Sequence, residues 1–213
     1  MEKIKIAIIG GTGKSGKYLV KALIDHGLRL KILVRNPDNF SIQNPLVEVV
    51  HGDVSDYDTI RMLAEGCRAV ISTLGVGQPN SEPTIFSTST KHVLRAMAEH
   101  PIPRYIVTTG LNVDTPFDKK GPKTRMATDW MRANYPKSTS DKQSEYDLLV
   151  SSEVSWTLVR LPQIELTDDE KTILISLDDC PGDKISAVSL ANFLIEQLTD
   201  VRFIKKAPFI ADA

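Results

Sequence analysis

Residues 6–16, IAIIGGTGKSG, place a short apolar run directly before a glycine-rich turn. Residues 11–16 match the pattern G-x-G-x-x-G, and the stretch from Gly10 also reads G-x-x-G-x-x-G. Spaced glycines of this kind allow a tight turn, close approach of the backbone to a pyrophosphate, and close packing of a helix on a strand. An amphipathic helix over 15–26 follows, and its free N–H groups and dipole favour a bound diphosphate. The alternative is a glycine turn without a ligand.

The first 110 residues alternate between apolar strands and amphipathic helices, which indicates parallel βαβ units with both sheet faces covered. The predicted strands are 3–9, 30–34, 47–50, 69–74 and 104–109, and the predicted helices are 15–26, 56–65 and 84–99. The fold class is therefore α/β, a doubly wound parallel sheet of the Rossmann type.

The alternation of predicted strands and helices breaks after Leu111, where prolines and charged residues become frequent. We predict an irregular insertion at about 111–140, with a helical stretch at 124–132; it is either part of the site or a solvated surface excursion. The elements predicted beyond it are a helix at 140–151, strands at 156–160 and 173–177, a helix at 187–198 and a last strand near Pro208. We expect a single domain over 1–213, with a small C-terminal substrate lobe from about 161.

Composition narrows the possible partners and location. Lys and Arg number 26 against 27 Asp and Glu, a net charge of −1, which argues against binding to duplex nucleic acid. No apolar run approaches the roughly 20 residues of a membrane span, and the N-terminus lacks a signal-peptide core. Cys67 and Cys180 lie far apart and form no metal-ligand cluster. We expect a reduced, cytoplasmic protein without metal, a monomer or homodimer that acts on a small molecule.

Two cations indicate the choice of nucleotide. Arg35 lies 19 residues after Gly16, where proteins that prefer NAD usually carry an acidic residue that binds the ribose 2′-hydroxyl. A guanidinium there can bind a 2′-phosphate with two hydrogen bonds, and Lys14 adds a second cation. The sequence therefore favours NADPH over NADH. The alternative for Arg35 is an ordinary solvated arginine at the end of a strand.

Six stretches in order carry a family resemblance: 10–16, 34–37 (VRNP), 52–54 (GDV), 72–75 (STLG), 108–110 (TTG) and 156–162 (WTLVRLP). With these, the chain resembles the atypical short-chain dehydrogenase/reductases, in the NmrA-like, NAD(P)H-binding branch that includes biliverdin reductase B, a flavin reductase. The resemblance covers nearly the whole chain apart from 111–140.

The resemblance implies a role for each matching stretch. The loop would bind the pyrophosphate, Asp53 and Val54 the adenine, and the segment after the fourth strand the cofactor ribose and phosphates. The end of the fifth strand would lie beneath the nicotinamide, and the segment after the sixth beside its carboxamide. The cofactor residues so implied are Gly10, Gly11, Thr12, Gly13, Lys14, Ser15, Gly16, Asp53, Val54, Leu74, Gly75, Val76, Thr108, Thr109, Gly110, Leu161, Pro162 and Gln163.

The chain also departs from the family at the catalytic positions. No Tyr-x-x-x-Lys occurs, and the aligned stretch is Ser138-x-x-x-Lys142. Lys142 could still hold the nicotinamide ribose, and Thr109 and Lys142 are the catalytic candidates. Gly110 replaces a serine of related flavin reductases, and Gln163 replaces their histidine.

These residues suit an acceptor that can take its proton from water. We predict an NAD(P)H-dependent oxidoreductase that reduces a flavin, a quinone or a small carbonyl compound by hydride transfer. Two alternatives stay open: an NADP(H)-sensing regulator without turnover, and an enzyme like the nucleotide-sugar epimerases and dehydratases. An apolar group at Met126, Trp130, Met131 and Tyr135 is either a lid over the substrate or a patch that packs on the sheet.

Overall fold

The computed structural model describes residues 5–76 and 82–213. An eight-stranded sheet forms the centre of the molecule, and helices cover both of its faces. In chain order the elements are β1 (Lys5–Ile9), α1 (Gly16–Asp25), β2 (Arg29–Val34), β3 (Val47–His51), α2 (Tyr57–Ala64), β4 (Ala69–Ser72), α3 (Ile85–Glu99), β5 (Arg104–Gly110), α4 (Pro122–Asn134), α5 (Pro136–Val150), β6 (Ser155–Leu161), β7 (Gln163–Glu165), β8 (Ile173–Ser176), β9 (Lys184–Ser186), α6 (Ala187–Glu196) and β10 (Phe209–Asp212).

The strand order is β3-β2-β1-β4-β5-β6-β10-β8, and the strands are parallel except β8, which runs antiparallel to β10. The chain moves outward from β1 to β3 and then returns to place β4 on the other side of β1. Ligands of doubly wound sheets bind outside the carboxyl ends of the strands at such a reversal of strand order. We therefore expect a ligand site at the turns that follow β1 and β4.

Buried apolar side chains form one core on each face of the sheet. Side chains of β1 alternate between them: Ala7 and Ile9 pack with α2, α3 and α5, whereas Ile6 and Ile8 pack with α1 and α6. This alternation is what a strand requires when both of its faces are covered. The first 110 residues thus form the predicted elements in the predicted order, although residues 3 and 4 of the first predicted strand lie outside the described residues.

The structure adds detail to two parts of the second half of the chain. The insertion is less irregular than expected, because Pro122 and Pro136 stand in the first turns of α4 and α5, where proline fits a helix. The segment from about 161 contributes strands to two sheets. Its strands β8 and β10 extend the central sheet, and only β7 and β9 form a separate two-stranded parallel sheet.

A buried arginine joins distant parts of the second half. Arg160 of β6 is almost completely buried, and its Nη1 lies 2.6 Å from Asp118 Oδ1. Its Nε donates to the carbonyl oxygen of Ala207 at 2.8 Å and its Nη2 to that of Leu177 at 3.2 Å. The guanidinium also packs on the Phe209 ring, 3.5 Å from the ring centroid. Burial lowers the pKa of Arg160, and the pairing with Asp118 opposes that shift.

Within the described ranges, no helix has the combination of length and apolar character that crossing a bilayer requires.

Candidate active site

The glycine loop after β1 is packed so tightly that most of its glycines have structural roles. Gly10 has φ +79°, and a Cβ there would lie 2.6 Å from the carbonyl oxygen of Thr73. A Cβ on Gly16 would lie 2.1 Å from the carbonyl oxygen of Gly10, and one on Gly11 would press on core side chains at 3.0 Å. A Cβ on Gly13 would meet only the Gly10 carbonyl oxygen, at 3.1 Å. Gly13 is therefore the loop glycine with the most open surroundings.

The N-terminus of α1 is available to an anion. Ser15 precedes the helix, but its side chain makes no capping hydrogen bond, and the first turn contains no acidic residue. The first N–H groups of a helix lack partners within the helix and attract negative charge. Thr12, Gly13, Lys14 and Ser15 line a cavity at this end of the helix, and the one acidic residue among its described lining residues is Asp53, which follows β3.

We call this space the loop cavity; it has a volume of about 570 Å³ and lies between the glycine loop and the carboxyl ends of β2, β3 and β4. Lys14 and Arg35, the two predicted cations, both line it, and Arg35 is half exposed. Arg35 Nη1 lies 3.9 Å from Asp53 Oδ2, and Ser55 donates two hydrogen bonds to Asp53 Oδ1, from N and Oγ. Other predicted cofactor residues on its wall are Gly10, Thr12, Gly13, Ser15, Val54, Leu74, Gly75 and Val76.

A second and larger space, the α4 cavity, opens beside the loop cavity and has a volume of about 1060 Å³. The two share Ser15, Thr73, Leu74 and Gly75 as a common wall. The predicted nicotinamide residues Thr108, Thr109, Gly110, Lys142, Leu161, Pro162 and Gln163 all line the α4 cavity. Gly11 and Gly16 are the two predicted cofactor residues that line neither cavity, because they serve the packing of the loop.

Helix α4 lies over this cavity with its apolar side chains. Met126, Trp130 and Met131 line the cavity, and the Tyr135 ring contacts the Trp130 ring edge-on at 5.7 Å. A Cβ on Gly110 would lie 2.8 Å from Met131 Cε, so glycine at this position lets Met131 approach the end of β5. We predicted this apolar group to be either a lid over the substrate or a patch that packs on the sheet. Met126, Trp130 and Met131 lie over a cavity.

The Thr109 hydroxyl is a polar group without a partner in this cavity. Its Oγ1 is buried and makes no hydrogen bond with any described residue. Buried hydroxyls without partners are uncommon, because desolvation without a compensating hydrogen bond costs free energy. The group can be satisfied by a ligand in the cavity that its residue lines, and we take this as evidence that the cavity fits a polar cofactor group.

Lys142 is not a solvated surface residue. Its Nζ lies 2.8 Å from Glu145 Oε2 and 3.1 Å from the carbonyl oxygen of Thr108, and 3.8 Å above the Phe86 ring centroid. Glu145 is fully buried and also accepts a hydrogen bond from Thr90 Oγ1 at 2.9 Å. Burial raises the pKa of the Glu145 carboxyl, and the Lys142 ammonium opposes that rise. Glu145 did not emerge from the sequence, where a Lys and Glu three positions apart also fit an exposed helix pair.

The residue before Lys142 anchors its helix. Asp141 Oδ2 accepts a hydrogen bond from the backbone N–H of Phe86 at 2.8 Å, and Ser87 N–H lies 3.4 Å from the same carboxylate. Asp141 thereby caps the first turn of α3 from another helix, since the side chain of Thr84 makes no capping hydrogen bond there. This contact sets the position of Lys142 relative to the cavity wall.

No group of three or more His, Cys, Asp or Glu residues in the described parts of the chain is arranged to hold a metal ion. The donors around the two cavities are instead backbone N–H groups, hydroxyls, an amide and a few cations, which suit phosphates, riboses and a carboxamide.

A doubly wound sheet with a glycine loop at its first turn and a long cavity over the strand reversal defines an NAD(P)-binding protein of the Rossmann type. The comparison of families agrees: the chain belongs to the NAD(P)H-binding family, which matches residues 10–201.

Among curated relatives, the chain is 24% identical to cinnamoyl-CoA reductase 1 of Petunia hybrida over 174 residues, covering 76% of this chain and 51% of the petunia protein. It thus spans about half the length of that relative.

Two solved structures show the same fold over almost the whole chain. One is a wide-type short-chain dehydrogenase/reductase from Veillonella parvula in complex with NADP, with a TM-score of 0.79, 13% identity, and coverage of 98% of this chain and 94% of that one. The other is ChuY, an anaerobillin reductase from Escherichia coli O157:H7, with a TM-score of 0.78, 16% identity, and coverage of 98% and 97%. The predicted NAD(P)H-binding family and the predicted Rossmann fold are confirmed.

Proposed function

We propose that the protein is an NADPH-dependent oxidoreductase that reduces a flavin, a quinone or a small carbonyl compound. One observation carries the proposal: the loop cavity and the α4 cavity share a wall of Ser15, Thr73, Leu74 and Gly75. A dinucleotide whose pyrophosphate rests on the glycine loop would extend its adenosine toward Arg35 and its nicotinamide into the α4 cavity. The reactive ring would then face an apolar space with room for a second molecule.

The chain supplies a group for each part of the nucleotide. Backbone N–H groups of the loop would bind the pyrophosphate. Arg35 and Lys14, on the same cavity wall, would bind the 2′-phosphate, and this supports a preference for NADPH over NADH. Asp53 and Val54 would contact the adenine.

At the other end, the residues would orient the nicotinamide. Lys142 lies beside Thr108 at the cavity floor and would hold the ribose, while Thr109 Oγ1 would gain the hydrogen bond that it lacks. Leu161, Pro162 and Gln163 would border the carboxamide. When bound, the reduced nicotinamide supplies a hydride, which with one proton from water reduces the acceptor by two electrons.

The arrangement of donors favours acceptors that need no protein acid. No tyrosine lines the described part of the α4 cavity, and the Lys142 ammonium is engaged by Glu145 and by the Thr108 carbonyl. Reduced flavins and quinones take their protons from water, whereas a carbonyl oxygen gains more from an acid in contact with it. Flavins and quinones are therefore the better candidates.

Because Glu145 and the Thr108 carbonyl occupy the Lys142 ammonium, this group is not free to act as an acid in the site. This favours a second candidate function, a sensor that binds NADP(H) without turnover. We propose a cytoplasmic monomer or homodimer in either case, since Cys67 and Cys180 are both free cysteines, as in proteins of a reducing compartment.

The deciding experiment mixes the protein with NADPH and, in turn, flavins, quinones and small aldehydes, and follows the absorbance band of reduced nicotinamide. Oxidation that depends on protein and acceptor supports the reductase. Saturable NADPH binding without oxidation by any acceptor would leave the sensor, and absence of binding would refute both functions.

A further inference from the structure

The charged side chains around the α4 cavity occur in opposite pairs. Among the described residues that line it, the cations are Lys123 and Lys142, and no arginine is present. Glu145 Oε2 lies 2.8 Å from the Lys142 ammonium, which is also held by a backbone carbonyl oxygen. The positive charge of Lys142 is thus compensated by Glu145 inside the protein.

The positive charge of Lys123 is compensated at the rim of the α4 cavity. Lys123 lies in the first turn of α4 and forms an ion pair with Asp183, which directly precedes β9. Both side chains are largely exposed, and both belong to the cavity wall. An anionic ligand would have to compete with Asp183 for the Lys123 ammonium.

The rest of the described wall is uncharged and includes several apolar and aromatic side chains. Phe86, Trp130, Met126, Met131 and Ile164 surround the space next to the proposed nicotinamide position. Aromatic faces and thioethers favour flat, polarisable ligands. Neither a bidentate arginine nor an unpaired cation is available on the described wall to bind a carboxylate or a phosphate.

We propose that this cavity selects an uncharged aromatic acceptor over an anionic one, and that Asp183 is a specificity-determining residue because it cancels the charge of Lys123. This inference rests on the proposed function: the acceptor gains a hydride from NADPH and a proton from water, and NADP⁺ is the other product. Anionic flavin nucleotides and sulfonated quinones are then poorer substrates than their neutral counterparts.

Two matched pairs of probes test the proposal: riboflavin against flavin mononucleotide, which share one isoalloxazine ring, and naphthoquinone against naphthoquinone sulfonate. We expect kcat/KM with NADPH to favour riboflavin by about threefold or more, the size of an exposed charge interaction. Binding is measured in parallel by flavin fluorescence in the presence of tetrahydro-NADPH, whose ring is uncharged and donates no hydride.

Variants at the rim assign the selectivity to the ion pair. Asp183→Asn frees Lys123 and should shift the ratio toward flavin mononucleotide by about threefold, an effect that shrinks in high salt. Lys123→Gln leaves Asp183 unpaired and should shift the ratio the opposite way. The matched control is Asp178→Asn, which makes the same charge change in the same segment, because the partner of Asp178, Lys119 at 3.2 Å, does not line the cavity. Its ratio should equal that of the parent.

The outcomes separate this inference from the proposed function. Binding of neutral probes in preference to anionic ones, without NADPH oxidation, would refute the reductase and retain the charge selection. Equal affinity for both members of each pair, or failure of both neutral probes to bind, would overturn the charge selection. Equal shifts in Asp183→Asn and Asp178→Asn would show that total charge, and not the rim pair, controls the ratio.

Discussion

Gly16 and Gly13 lie three residues apart in the same loop, yet we expect alanine to affect different properties at the two positions: stability at Gly16 and NADPH binding at Gly13. At Gly16 the added Cβ would lie 2.1 Å from the carbonyl oxygen of Gly10 and 3.0 Å from Gly11 Cα. These neighbours are backbone atoms, so the loop or the start of α1 has to move by nearly 1 Å. Overpacking of this kind costs about 1–3 kcal/mol, and the helix preference for alanine returns up to about 1 kcal/mol. We expect Gly16→Ala to lower the free energy of unfolding by about 1–2 kcal/mol.

At Gly13 the added Cβ meets one atom, the Gly10 carbonyl oxygen, at 3.1 Å. A shift of a few tenths of an ångström relieves that contact, and we expect a change in unfolding free energy of less than about 0.5 kcal/mol. The methyl group would instead occupy space in the loop cavity where the pyrophosphate is proposed to lie. NADPH should then bind at least about tenfold more weakly, which corresponds to about 1.4 kcal/mol.

Urea unfolding of the ligand-free variants, followed by far-ultraviolet circular dichroism, measures the first quantity, and titration with NADPH measures the second. The reasoning about packing fails if Gly16→Ala unfolds at the same urea concentration as the parent. The assignment of the loop to the pyrophosphate fails if a stable Gly13→Ala protein binds NADPH as tightly as the parent does.

Three further predictions concern the charged groups of the site and its surroundings. Arg35→Ala should remove most of a roughly tenfold preference for NADPH over NADH and leave the NADH affinity nearly unchanged; equal affinities in the parent would refute the role of Arg35. Lys142→Met keeps the buried volume and should weaken NADPH binding and slow any reductase turnover, whereas Ser138→Ala should do little; the reverse order in titrations and rates would contradict the placement of Lys142. Burial raises the pKa of Asp114, but the hydrogen bonds and charges of Lys120 and Arg132 together lower it below the usual value. The carboxylate of Asp114 therefore stabilises the fold above its usual pKa of 3.8, and this contribution is lost as the pH falls through the lower folded-state pKa. Asp114→Asn should flatten the acid limb of a profile of melting temperature against pH. An unchanged acid limb would show that other groups dominate.

The parts of the fold that periodicity controls could be predicted from the sequence. The strand residues 6–9 form one continuous apolar run because both faces of β1 are buried, and α1 carries its apolar residues on one face. The glycine spacing places the loop between them. Lys14 lies in the glycine loop and Arg35 follows β2, and both line one cavity together with Asp53, whose role the family resemblance implied.

The late elements could not be predicted in the same way. Whether residues 173–176 join the central sheet depends on their pairing with β10, which is separated from them by a helix and a loop. Strands β7 and β9 have three residues each, too few for a period to appear. Glu145 was missed for a related reason, since its burial follows from the packing of α5 on α3 and not from its spacing to Lys142.

The partners of Arg160 have a consequence for the order of events during synthesis. Asp118 leaves the ribosome before the arginine does, but the carbonyl groups of Leu177 and Ala207 and the ring of Phe209 leave after it. A guanidinium in a closed interior without these partners would cost several kcal/mol. A nascent chain that does not yet include β10 therefore has to keep Arg160 of β6 hydrated, so the core around this side chain closes only after β10 has been made.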